Sequence, residues 1–143
     1  MGVTDYFLDS SDIASVIANE WKPPAASTEK VYELHLHQFL NQRFPNLRFD
    51  RQYRFAATTA DLHIKFPGGG AAAIEVKKDL ARRTELHRLV GQCYDYAVVW
   101  RVDVLVVLCG ACEPGLLKIA KKATNLVATI GDRAGHCIHI PGN

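Results

Sequence analysis

Apolar and polar residues alternate along three consecutive stretches in the middle of the chain, and this alternation predicts the centre of the fold. From Leu47 to Phe55, the residues Leu47, Phe49, Tyr53 and Phe55 fall on one side and Arg48, Asp50, Gln52 and Arg54 on the other, with Arg51 interrupting the apolar side. From Ala60 to Phe66, Leu62, Ile64 and Phe66 oppose Asp61, His63 and Lys65. From Ala71 to Lys77, Ile74 and Val76 oppose Glu75 and Lys77. Side chains two residues apart share one face of a strand, so each stretch predicts a strand with one apolar face. Pro67-Gly68-Gly69-Gly70 turns the second into the third. Further on, Asp103 to Cys109 carries the unbroken run Val104-Leu105-Val106-Val107-Leu108, the pattern of a strand buried on both faces.

Helical spacing fills the intervals. Ser10 or Ser11 is the expected cap of a helix from Asp12 to Trp21, striped by Ile13, Val16 and Ile17, and Lys22-Pro23-Pro24-Ala25-Ala26 ends it. Ser27 or Thr28 is expected to cap a longer helix reaching Phe44, with Glu29 in its first turn, Val31, Leu34, Phe39 and Leu40 buried, and Pro45 as its stop. Thr84 is the expected cap of a helix from Glu85 to Trp100. Pro114 opens a short helix to Ala123, with Lys118, Lys121 and Lys122 on its exposed side, and strands are expected over Leu126 to Ile130 and His136 to Ile140. A meander followed by a crossover makes a mixed sheet flanked by helices, an α/β arrangement. No repeat, low-complexity segment or domain boundary interrupts it, so 1–143 reads as one domain.

Composition adds bounds and little more. The 143 residues are 48% hydrophobic and 22% charged, the balance of a soluble globular domain. No stretch approaches the roughly 20 apolar residues that span a bilayer. Met1 to Ser11 lacks a basic region followed by an apolar one, so no membrane association and a cytoplasmic location are expected. The net charge of +2 decides nothing, but Lys77, Lys78, Arg82, Arg83 and Arg88 crowd a segment holding only Asp79 and Glu85 against them. Arg48, Arg51 and Arg54 form a second excess, and a solvated face accounts for either cluster. Cys109 and Cys112 have the spacing of a metal or redox pair, with Cys137, His136 or His139 as further ligands. Small-residue packing at a strand end explains them as well, and Cys93 stands apart.

The glycine hairpin carries the chemistry. If it centres on Gly68, Asp61 lies opposite Glu75; if on Gly69, Asp61 lies opposite Lys77 and diagonal to Glu75. Both registers bring the three side chains to one face within about 5–8 Å. A one-residue offset would expose Leu62, Ile64, Ile74 and Val76 instead. Two carboxylates so close repel unless a cation lies between them. Oxygen ligands with open water positions suit Mg²⁺ or Mn²⁺, which acidify a water and stabilise charge on a phosphate. Lys77 would orient or deprotonate that water, or neutralise charge in the transition state. A surface salt bridge from Asp61 or Glu75 to Lys77 is the plainer reading of the same residues.

Asp61 followed across a hairpin by Glu75-Val76-Lys77, within the helix, three-strand, helix, strand order, resembles the PD-(D/E)xK nuclease superfamily. Gln92-Cys93-Tyr94-Asp95-Tyr96 resembles the Gln-hydrophobic-x-x-Tyr motif of its RecB-like branch. The resemblance covers about 28–110 and leaves the helix at 12–21 and an α/β extension at 114–140 outside. It implies a restriction-endonuclease-like αβββαβ core and a Mg²⁺- or Mn²⁺-dependent deoxyribonuclease acting on DNA, with a homodimer as the assembly it allows. It implies Asp61, Glu75 and the Val76 backbone carbonyl as metal ligands, Lys77 as the catalytic lysine and Gln92 as its positioning partner. Glu33 on the first core helix is a further candidate ligand, with Glu29 one turn before it and His37 one turn after. Lys78, Arg82, Arg83 and Tyr96 are the candidate substrate contacts, the basic ones near a helix N-terminus that favours phosphate. Ala60 in place of proline before the aspartate and Cys93 in the hydrophobic slot are mild departures. Two other readings share this fold: a structure-selective endonuclease like the Holliday-junction resolvases, and a non-catalytic nucleic-acid-binding domain.

Overall fold

The computed structural model describes residues 3–25 and 28–141. A 3₁₀ turn over Val3–Phe7 leads to helices α1 (Ser10–Glu20) and α2 (Glu29–Arg43). Strands β1 (Phe49–Phe55), β2 (Thr58–Lys65) and β3 (Ala71–Lys78) follow as an antiparallel meander. Helix α3 (Arg83–Tyr94) runs into a π-helical turn, Asp95–Val99. Strand β4 (Asp103–Cys109), helix α4 (Pro114–Ile130) and strand β5 (Gly135–Ile140) complete the chain. The strands stand in sequence order in one sheet, with β4 parallel to β3 and β5 parallel to β4.

The sheet separates two cores, as the alternation requires. Ile74, Val76, Leu105 and Val107 face α1 and α2, meeting Ile13, Ile17, Tyr32, Leu36 and Leu40. Ala73, Val104, Val106 and Leu108 face α3, the π turn and α4. The continuous apolar run of β4 is thus the middle of a three-layer sandwich, and its residues 104–109 are fully buried.

Several element ends differ from the sequence expectation for local reasons. Asp9, not Ser10 or Ser11, caps α1, accepting from the Ser11 and Asp12 backbone N–H groups while Asp12 accepts from the Asp9 N–H. Ser10 is inside the helix and donates its hydroxyl to Asp103 Oδ2 at 2.7 Å, tying α1 to the start of β4. Thr28 caps α2, and Ser27, the other candidate, lies outside the described residues. Thr84 does not cap α3; the helix begins at Arg83, and Glu85 reaches back to the Arg82 N–H at 3.0 Å. The stretch from Leu126 to Ile130 is not a strand. It extends α4, because Leu116, Ala120, Thr124, Val127 and Ala128 recur at helical spacing and are the residues buried there.

The buried stripe of α2 is also rotated from the expected one. Tyr32, Glu33, Leu36 and Leu40 face inward, while Val31 and Leu34 are exposed and Phe39 is only partly buried. Tyr32, Leu36 and Leu40 repeat at four-residue steps, and that stripe carries Glu33 towards the sheet. Leu36→Ala should therefore cost about 2–5 kcal/mol in urea unfolding, and Leu34→Ala less than about 1 kcal/mol. Equal costs would contradict the observed helix rotation.

Candidate active site

The register pairs Leu62 with Ile74 and Lys65 with Ala71, which centres the glycine hairpin on Gly68, the first of the two registers open to the sequence. Gly69 and Gly70 adopt positive φ there, at 109° and 84°. The pairing of β2 with β3 ends at Leu62 and Ile74, one step before Asp61 and Glu75 would meet. Beyond that point the Asp61 carboxylate replaces a ladder bond, accepting from the Val76 N–H at 2.8 Å. The Asp61 N–H in turn points to Glu75 Oε1 at 3.4 Å. A strand residue directs its N–H and C=O to the same edge, so the Val76 carbonyl also faces this opening.

Glu75 is buried at 2% exposure on the α3 side of the sheet. The Tyr96 hydroxyl donates to its Oε1, and Lys77 Nζ lies 3.7 Å from its Oε2. Tyr96 stands in the π turn that follows α3, a local change of helical pitch of the kind found at functional sites. It is fully buried, with its hydroxyl on Glu75. Lys77 keeps part of its side chain in solvent and also lies 3.9 Å from Glu29 Oε1. Glu29 Oε2 accepts from the Lys78 N–H at 3.2 Å, so the first turn of α2 brackets the end of β3.

Glu33 approaches from α2 with both oxygens engaged. Arg51 donates to Oε2 through Nε at 3.1 Å and Nη2 at 2.8 Å, and Gln52 Nε2 donates to Oε1 at 2.6 Å. Consecutive strand residues ordinarily point to opposite faces, and here both reach one carboxylate. Gln52 makes this possible with a φ of 50° in the middle of β1, a conformation uncommon outside glycine. The role of Arg51 was signalled by its break in the apolar side of β1. Gln52 carried no such signal, since its part depends on backbone geometry.

Burial sets the electrostatics. The Asp61 carboxyl is pushed up to about 8, first by loss of solvent and then by the Glu75 charge, against the lowering effect of the Val76 N–H; Glu33 adds to the rise. Burial likewise raises Glu75, opposed by the Tyr96 hydroxyl and by Lys77. Burial and the adjacent Glu75 push the Tyr96 phenol far above its usual range, so it stays a donor. His63, buried behind Asp61 on the same strand, is lowered by desolvation.

The remaining sequence candidates spread around this centre. Arg82 and Arg83 are exposed at the start of α3, and Lys78 is half-buried with its Nζ 3.5 Å from Asp79. Gln92 lies one turn before Tyr96, and its buried Oε1 has no hydrogen-bond partner among the described residues. His37 is turned away, bonding the Phe49 carbonyl at 2.7 Å. Cys93, Cys109, Cys112 and Cys137 are free thiols, and burial pushes Cys109 up to about 12. Among the described residues no three His, Cys, Asp or Glu side chains are preassembled around an ion position. The acidic groups are instead held by protein donors, which leaves two carboxylates and a carbonyl facing one gap. That donor set fits an ion such as Mg²⁺, which keeps several waters and takes one or two carboxylates.

No protein-family model matches the chain, and no curated protein matches it. Among solved structures, the chain is similar to that of an EndoMS–dsDNA2 complex, with a TM-score of 0.50 and 12% identity over 88% of this chain. It spans 50% of that chain, half its length. The likeness concerns architecture, and the fold is restriction-endonuclease-like: a mixed five-stranded sheet with helices on both faces.

A raised carboxyl pKa makes the metal-free protein lose stability with rising pH. Unfolded Asp61 releases its proton near 3.8 and folded Asp61 near 8, so its stabilising contribution is full at low pH and disappears as pH climbs through 8. His63 acts in the opposite direction at and below its ordinary range, so the window to examine is pH 6.5 to 8. There the thermal midpoint in EDTA should fall for the wild type and stay flatter for Asp61→Asn, which should melt about 3 °C or more higher at pH 8. Parallel curves for the two proteins would show that Asp61 is not under this strain.

Proposed function

We propose that the protein is a metal-dependent nuclease that hydrolyses phosphodiester bonds of DNA. The observation that carries this reading is the convergence of Asp61, Glu75 and Lys77 at the opening of the β2–β3 ladder, with Val76 between them. The similar fold of a chain in an EndoMS–dsDNA complex supports DNA as the substrate.

Asp61, Glu75 and the Val76 carbonyl would hold Mg²⁺ or Mn²⁺, which when bound supplies positive charge to a phosphate oxygen and acidity to a water. Glu33 would support this set through Asp61, since its own oxygens are taken by Arg51 and Gln52. Tyr96 keeps one Glu75 oxygen fixed and so limits the rotamers the carboxylate can sample. Lys77 stands beside the other oxygen with part of its side chain in solvent, where it can orient an attacking water and offset charge that grows on the phosphate. Gln92, one helical turn from Tyr96, would help position Lys77 or the phosphate once substrate enters. Lys78, Arg82 and Arg83 lead from the strand end to the start of α3 and would hold the DNA backbone without reading sequence.

Purified protein should cut single-stranded or double-stranded DNA with Mg²⁺ or Mn²⁺. Glu75→Gln and Lys77→Ala should each slow cleavage by about 100-fold or more while circular dichroism stays unchanged. Titration calorimetry should show Mn²⁺ binding that Asp61→Asn removes. Absence of both cleavage and Mn²⁺ binding in folded protein would end this reading. End-labelled and circular substrates separate exonuclease from endonuclease action, and a four-way junction tests for resolvase-like selectivity.

A further inference from the structure

The cluster of rings beside the candidate site is not used by that chemistry. Tyr96, which holds Glu75, packs its ring against Trp100 at 4.8 Å between centroids. Trp100 also meets Tyr53 at 5.9 Å and Phe55 at 5.8 Å, both edge to face. Tyr53 in turn stacks flat on His63 at 3.9 Å. The series ends in the solvent, because Phe55 is 50% exposed.

Placement gives that exposed ring a purpose. Phe55 pairs with Thr58 at the tip of the β1–β2 hairpin, which turns through Ala56 at a φ of 54°. Because β2 and β3 are antiparallel, this tip stands at the same end of the sheet as Lys77 and Lys78. Asp61 is three residues along β2 from Thr58, about 10 Å at strand rise. The tip is pinned, since Thr58 Oγ1 donates to Asp95 Oδ2 at 2.9 Å in the π turn. Phe55 therefore stands at a tied hairpin tip with Trp100 against it. The same π turn thus anchors the catalytic carboxylate through Tyr96 and the hairpin tip through Asp95.

We propose that Phe55, backed by Trp100 and Tyr53, is a stacking platform for an unpaired nucleobase next to the scissile phosphate. This rests on the nuclease reading and narrows its substrate to single-stranded or locally unpaired DNA. Bases inside a duplex already have both faces covered, so a half-exposed ring gains only from a base outside the stack. Every base has an aromatic face, so such a platform tolerates sequence.

The test is fluorescence anisotropy with labelled oligo-dT and with a duplex of equal length, in EDTA so that binding is read without cleavage. Phe55→Ala should weaken oligo-dT binding by about 5- to 100-fold and change duplex binding by less than about twofold. Phe55→Trp should restore affinity, and Phe55→Leu should not, although both keep an apolar side chain at the hairpin tip. Full affinity in Phe55→Leu, an equal loss on duplex, or no oligo-dT binding by the wild type would each overturn the platform. The nuclease reading would survive those results if Mg²⁺-dependent cleavage persists, so the two can fail separately.

Discussion

One hydrogen bond, from the Val76 N–H to the Asp61 carboxylate, stands at the point where the β2–β3 ladder gives way. A continued ladder would have bonded Val76 backbone to backbone and sealed the gap between the strands. With a side chain in that place, the strands part while the backbone donor stays satisfied, as a buried donor must be. The gap then holds Asp61, Glu75 and the Val76 carbonyl within one small volume. The Val76 N–H, the Tyr96 hydroxyl and Lys77 orient those groups inside a sandwich that otherwise excludes water.

Holding acids in such a place has a cost, visible as the elevated Asp61 and Glu75 carboxyls. The surroundings offset part of it with donors from different layers. Tyr96 comes from the α3 side, Lys77 from the strand itself, and Arg51 and Gln52 from the edge strand onto Glu33. Two local departures from regular structure make these contacts possible, the π turn that presents Tyr96 and the positive φ of Gln52. At Gln52 the uncommon backbone conformation is offset by the bond it allows to Glu33. A fold with an ideal α3 and an ideal β1 would place Tyr96 and Gln52 elsewhere.

Much of the architecture was legible from residue pattern alone. Alternation located β1, β2 and β3, the apolar run located β4, and the faces carrying Glu75 and Lys77 against Ile74 and Val76 follow from a period of two. Where pattern misled, an equally apolar alternative was available. Leu126 to Ile130 suits a strand or a helix, and the fit of Val127 and Ala128 into the α4 stripe decided it. In α2, both Leu34 and Leu36 look like core, and only the second faces the sheet.

The chain's own order of residues limited where Asp61 could stand relative to Glu75 and Lys77, because the glycine turn and strand periodicity admit few registers. It did not determine the register, which the closing of the hairpin on Gly68 settled. It marked Tyr96 without showing that a buried phenol would hold Glu75, and Arg51 without showing its bond to Glu33. Those outcomes depend on segments far apart in sequence meeting at set distances. Local pattern is governed by interactions between near neighbours, whereas the partners of a buried charge are chosen by whichever layers the packed sheet brings against it.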